Sequence, residues 1–131
     1  MKSLHFLTII LLTFTLQSCF IGADGDTEDL AEDYYISGAL GFKNVHLGYW
    51  SEYGGAGLIE SPIIAVGVND QYIIVKREAD NFEYYIVKIT KSGNRSEAED
   101  NITGPLTENE FNIAIKELDL QSISWTKEFE K

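Results

Sequence analysis

Twenty-one carboxylates, two histidines and a single cysteine are the groups in this chain most able to move a proton or form a bond. A pair of carboxylic acids tuned apart in a cleft would hydrolyse a glycosidic bond. With so many acids a close pair arises by chance, so composition assigns no such pair. Histidine chemistry is narrower still. His5 lies in an N-terminal segment expected to be removed, which leaves His46, and one imidazole cannot build a multi-histidine metal site. His46 could activate a serine only if distant Ser and Asp residues converged on it, and the chain has no Gly-x-Ser-x-Gly elbow. It reads as a strand histidine at a sheet face. Tyr53-Gly54-Gly55-Ala56-Gly57 reads as a flexible loop without the strand-glycine-helix setting of a phosphate cradle. These spacings call for no metal, no cofactor and no catalytic residue.

Cys19 has a different meaning. It ends a segment with a basic Lys2, an apolar run from Leu4 to Leu16 and a short Leu16-Gln17-Ser18-Cys19 exit. The run is shorter than the roughly 20 residues of a membrane-crossing helix and has the layout of a secretory signal. A leucine three positions before the cysteine and a serine one before it are what bacterial lipoprotein processing uses. Cleavage after residue 18 would make Cys19 the lipidated first residue of a 113-residue mature chain. Stable anchoring needs more than one acyl chain, which a diacylated or triacylated cysteine supplies. The location implied is the bacterial cell envelope, on the extracytoplasmic side of a membrane.

Two consequences follow. With Cys19 acylated no disulfide can form, so the domain must be held by its core. Loss of residues 1–18 removes one lysine and no acid, so a net charge of −11 becomes −12. Such a balance repels nucleic acid and suits a basic protein partner. The acids begin early: residues 19–33 hold Asp24, Asp26, Glu28, Asp29, Glu32 and Asp33, the composition of a solvated tether. Asp24-Gly25-Asp26 does not follow the calcium-loop order.

From Tyr34 the chain turns aromatic and β-branched, and residues 34–131 read as one domain. Tyr34-Tyr35-Ile36 and Val45–Trp50 are expected strands. Ile63–Val68, Tyr72–Lys76 and Phe82–Ile89 are expected to form an antiparallel meander, the first two joined by a tight turn at Asn69-Asp70. Lys91–Asn101 reads as a mobile loop. Thr107 and Glu110 form a capping box after Gly104-Pro105, and Phe111, Ala114, Ile115 and Leu118 recur at helical spacing over residues 108–118. Leu120, Ile123 and Trp125 would add an edge strand or a packed tail. The expected fold class is α+β, an antiparallel meander sheet of four to six strands covered by one C-terminal α-helix.

The signal, the Tyr-Tyr-Ile strand, Ile63-Ile64-Ala65, Asp70–Lys76, Tyr84–Val87 and Gly104-Pro105-Leu106-Thr107 with Glu110-Phe111 occur in an order that resembles a family of small bacterial lipoproteins of unknown function. The resemblance implies an envelope location and a small sheet domain, and it brings no catalytic residues. Two readings of function remain. One is a non-catalytic binding or accessory protein whose ligand surface includes Tyr49, Trp50 and Tyr53, a particular version being an inhibitor-like protein that meets a basic enzyme. The other is an envelope hydrolase working through an unrecognised carboxylate site. Tyrosines in strands serve cross-strand packing more often than ligand platforms, and that weighs on all three candidates.

Overall fold

In the computed structural model residues 25–130 are described, so the signal, Cys19 and the start of the acidic spacer lie outside the described residues. The strands are β1 (Asp26–Ala31), β2 (Tyr34–Ala39), β3 (Lys43–Ser51), β4 (Gly54–Val68), β5 (Tyr72–Glu78), β6 (Phe82–Lys88), β7 (Ile102–Leu106) and β8 (Lys127–Glu128). Helix α1 (Arg95–Asp100) precedes β7 and helix α2 (Glu108–Glu117) follows it. Strands β1 to β7 are hydrogen-bonded in chain order, every pair antiparallel, and β8 pairs with β4. The meander is therefore present, including the tight β4–β5 connection in which Asn69 Oδ1 accepts from Tyr72 N at 2.7 Å.

The expectation of four to six strands under one helix is corrected to a mostly β domain of eight strands and two short helices among the described residues. Each extra element has a physical reason. Asp26–Ala31, assigned above to the spacer, is the outer strand of the sheet, where acids can face solvent while Leu30 packs on the core. Gly54–Gly57, read as loop, pairs Gly55 with Trp50 and Gly57 with Gly48. Ile102–Leu106 ends the sheet, and Pro105 falls where the β6–β7 register shifts and has no Cα partner in β6, so its missing N–H breaks no regular ladder. The polar stretch before it carries α1, with Asn94 Oδ1 capping Glu97 N and Ala98 fully buried.

The sheet curls around its main core. Tyr34, Ile36, Val45, Leu47, Tyr49, Ile59, Ile63, Val66, Ile73, Val75 and Val87 from five strands share one buried cluster, into which α1 inserts Ala98. The period of two sends Ile74, Tyr84 and Ile86 to the other face, where they meet Phe111 of α2 and Leu120. Thr107 Oγ1 accepts from Glu110 N at 3.2 Å and Glu110 Oε2 accepts from Thr107 N at 2.9 Å, so the capping box forms as expected. At the other end Asp119 adopts φ 56°, Asp119 N donates to Lys116 O and Leu120 N donates to Ile115 O. This Schellman termination turns the chain so that Leu120 becomes buried and Leu118, expected in the apolar stripe, stays exposed.

Beyond Ile63, β4 has left β3 behind and would have an unpaired edge. The C-terminal segment fills it: Thr126 N donates to Val66 O and Phe129 N to Ile64 O. Trp125 thereby stacks 5.9 Å from Phe111, which itself stacks 4.8 Å from Tyr84.

Candidate functional site

A cleft of about 630 Å³ lies at one end of the sheet between the β3–β4 turn and the loop that leads into α1. Ser51–Ala56 form one wall and Ser92–Ser96 the other. Gly54, at φ 107°, closes the turn, and Ser51 Oγ donates to Gly54 O while accepting from Tyr53 N. The second wall is held in the same manner: Ser92 Oγ accepts from Asn94 N at 3.1 Å and meets Thr90 Oγ1 at 3.1 Å. The Arg95 guanidinium pairs with Glu99 at 2.9 Å.

The three expected surface aromatics part company here. Tyr53 stands at the rim, 91% exposed. Trp50 is half exposed and packs against Gly55 of the cleft wall. Tyr49 is a correction: it is fully buried, because alternation along β3 turns residues 45, 47 and 49 inward and 46, 48 and 50 outward. Behind Trp50 the Tyr35 ring lies 4.6 Å from the indole and crosses Gly48 and Gly55, where a Cβ would come within 2.2 and 2.8 Å of its atoms. Only glycine admits that ring, which is a reason for glycines in mid-sheet.

Beneath the cleft lies a pair of buried tyrosines that periodicity alone could not single out. Tyr34 and Tyr49 meet edge to face at 4.9 Å. Tyr34 Oη accepts from Thr90 N at 3.2 Å and donates to Lys88 O, which fastens the end of β6 and the following loop to β2. Tyr49 Oη is buried with no partner in hydrogen-bond geometry among the described residues, its neighbours being Ser92 and Gly93 of the cleft wall. Burial raises the pKa of both phenols, so both stay neutral. Such an unmet polar group is uncommon in a folded core and marks the spot below the cleft.

Elsewhere Arg77, Glu83 and Tyr85 tie neighbouring strands together. Arg77 of β5 bonds Glu83 of β6 at 2.7 Å and donates to the carbonyls of Glu60 and Ser61 in β4. Tyr85 Oη donates to the same Glu83 oxygen at 2.9 Å. The bonds from Arg77 and Tyr85 hold the Glu83 carboxyl below its ordinary value of 4.5. Hydrogen bonds from Ser92 and Thr90 lower Glu97. A general acid needs a shift in the opposite direction. His46 stands edge-on to Tyr35 at 6.2 Å, and Ser37, its register partner, directs its hydroxyl to Thr27 at 3.0 Å. Among the described residues no group of three or more His, Cys, Asp or Glu side chains could hold a metal ion.

Glu83 carries a pH prediction. A carboxyl whose folded pKa lies below its unfolded value contributes stability above the unfolded value and loses it as pH falls through the folded one. Glu83→Gln is expected to be less stable than the parent at neutral pH, and the gap in urea midpoint should close as the pH drops below about 4.5. A gap that stays constant down to about pH 3 would show that Glu83 acts through shape and not through charge.

Residues 31–128 match the model of a protein family of unknown function. No curated protein and no solved structure matches the chain.

Proposed function

Given that the chain belongs to the DUF3997 family, whose function is unknown, we propose from its own residues that it is a non-catalytic binding or accessory protein of the bacterial cell envelope. A lipid on Cys19 holds it on the extracytoplasmic side of a membrane, and the cleft between the β3–β4 turn and the α1 loop is its recognition site. The observation that carries the binding role is the composition of that cleft. Its walls are built from serines, glycines, Ala56, Asn94 and the exposed Tyr53, with one acid, Glu52, and one base, Arg95, and the Ser51 and Ser92 hydroxyls are already engaged in shaping the turns. Among the described residues no serine there has an imidazole beside it, His46 standing on the outer face of β3 against Tyr35. Such a surface recognises by shape and hydrogen bonding. The anchor rests on the Leu16–Cys19 exit of the signal.

The strongly negative charge favours a basic protein as the partner, with an association that weakens as salt rises. The test places a benzoylphenylalanine photo-crosslinker at position 53, with position 82, a half-exposed aromatic distant in sequence from the cleft, as control. In intact envelopes a discrete adduct is expected from position 53 and not from 82. Identical adducts from both positions would overturn the cleft as the site. The mass of the mature N-terminus is read in the same sample: an acylated Cys19 is expected, and an unmodified Cys19 would overturn the anchor.

A further inference from the structure

We infer that the β2–β3 turn, with Leu40 at its tip, is the end of the domain that meets the lipid bilayer, and that the cleft at the opposite end is held away from it. The inference rests on the reading of Cys19 as a lipid anchor and adds the orientation that anchor imposes.

The chain enters the domain at Asp26, the first residue of β1. Seven residue steps separate Asp26 from Cys19, a span of at most about 25 Å even when fully extended. The entry point is fixed to the β2–β3 turn in two ways. Asp26 pairs with Gly38 at the end of β2, and Asp26 Oδ2 accepts from Gly41 N at 2.6 Å. Whatever holds Cys19 at a membrane therefore draws this turn toward the same surface.

The turn is built for that position. Leu40 is 71% exposed at its tip and Lys43 is exposed just beyond, an apolar residue and a cation together on a chain otherwise dominated by acids. The bend is held firmly. Gly41, Phe42 and Asn44 all have positive φ, and the Phe42 ring packs 6.0 Å from Phe129, so Leu40 is presented on a braced loop. A leucine at the level of the acyl boundary with a lysine among the headgroups is how interfacial segments divide their side chains.

The same geometry sets the direction of the cleft. β3 runs from the Leu40 turn at Lys43 to the cleft wall at Ser51, eight steps of about 3.3 Å, or roughly 26 Å. Trp50 N donates to Asp33 O at 2.8 Å, which puts the β1–β2 turn at the cleft end as well, far along β1 from Asp26. The entry point at Asp26 and the cleft thus lie at opposite ends of β3, and with Cys19 held at the bilayer Tyr53 projects outward from the membrane.

Acylation of Cys19 leaves an introduced cysteine as the only free thiol. The lipidated variants L40C and Y53C, both at exposed positions, carry a nitroxide label and are reconstituted in phosphatidylcholine vesicles. The ratio of oxygen to nickel-chelate collision rates is expected to be several-fold higher at position 40 than at position 53. Equal ratios, or a higher one at 53, with Cys19 shown by mass to be acylated, would overturn the orientation while leaving the anchor intact. An unmodified Cys19 in material from the native host would overturn the anchor, and the orientation with it.

Discussion

Tyr34→Ala is expected to destabilise the domain by about 3–5 kcal/mol, the range for removing a large aromatic side chain from a packed core. Tyr34 is fully buried, sits against Tyr49 and reaches with its hydroxyl across the core to the end of β6. Tyr34→Phe keeps the ring and deletes only the hydroxyl, so it should cost about 1 kcal/mol, the net worth of an ordinary hydrogen bond with its partner partly left unmet. The two variants separate packing from fastening. Urea unfolding gives the stabilities, and amide exchange at Thr90 gives the local effect, because Thr90 N is the group that the hydroxyl holds. In the phenylalanine variant Thr90 should exchange faster than the global loss alone explains, and the Ser92–Ser96 wall of the cleft should loosen with it. A phenylalanine variant as unstable as the alanine one would mean that the hydroxyl, and not the ring, is the main contributor.

Gly67→Ala should cost about 2–3 kcal/mol, toward the upper end for overpacking a core. A Cβ at this position would lie 2.3 Å from Ser124 O and 2.8 Å from Ile74 Cγ1. The first obstacle is backbone, so the segment that supplies β8 must lift away from β4. That motion takes with it the bonds from Thr126 and Phe129 and the Trp125 stack on Phe111. In a chain ended after Ile123 the obstacle is gone. There alanine should be neutral or slightly favourable, since glycine in a strand interior is destabilising by roughly 0.5–1 kcal/mol relative to alanine. The four proteins form a cycle read by urea midpoint. Equal cost of the alanine in both backgrounds would locate the strain against Ile74 instead.

Much of the fold is written in local pattern, and the parts that were missed share a cause. The strands Val45–Trp50, Tyr72–Glu78 and Phe82–Lys88 and the capped helix Glu108–Glu117 announce themselves through β-branched runs, aromatic residues and a capping box. Asp26–Ala31 and Gly54–Gly57 do not, because what makes them strands is a neighbour elsewhere in the chain. The first uses the unpaired edge of Tyr34–Ala39, and the second supplies the flat surface that the Tyr35 ring requires. Composition favours a tether and a loop in those places, and pairing overrides it. The candidate site divides along the same line. Tyr53, in a turn, keeps the exposure expected of it. Tyr49 differs from its neighbour Trp50 only in the parity of its position, and parity becomes decisive once the inward face of β3 is known. The buried Tyr34–Tyr49 pair depends on the curl of the whole sheet, which no short window of residues encodes.

The two outermost strands bear on how copies of this protein would behave when crowded. Among the described residues β1 and β7 end the hydrogen-bonded order, and each edge presents a row of backbone groups able to recruit another chain. β1 carries Asp26, Asp29 and Glu28, the last ion-paired with Lys127, and β7 carries Pro105 next to its last residue. A like strand approaching β1 meets its own charge, and one approaching β7 meets a position with no donor. On the membrane surface proposed above, molecules would share a plane and an orientation, the arrangement in which edges would find each other most often. There the acids of the first strand and the proline of the seventh would act as colloidal stabilisers, keeping a dense lawn of domains from zipping into fibres.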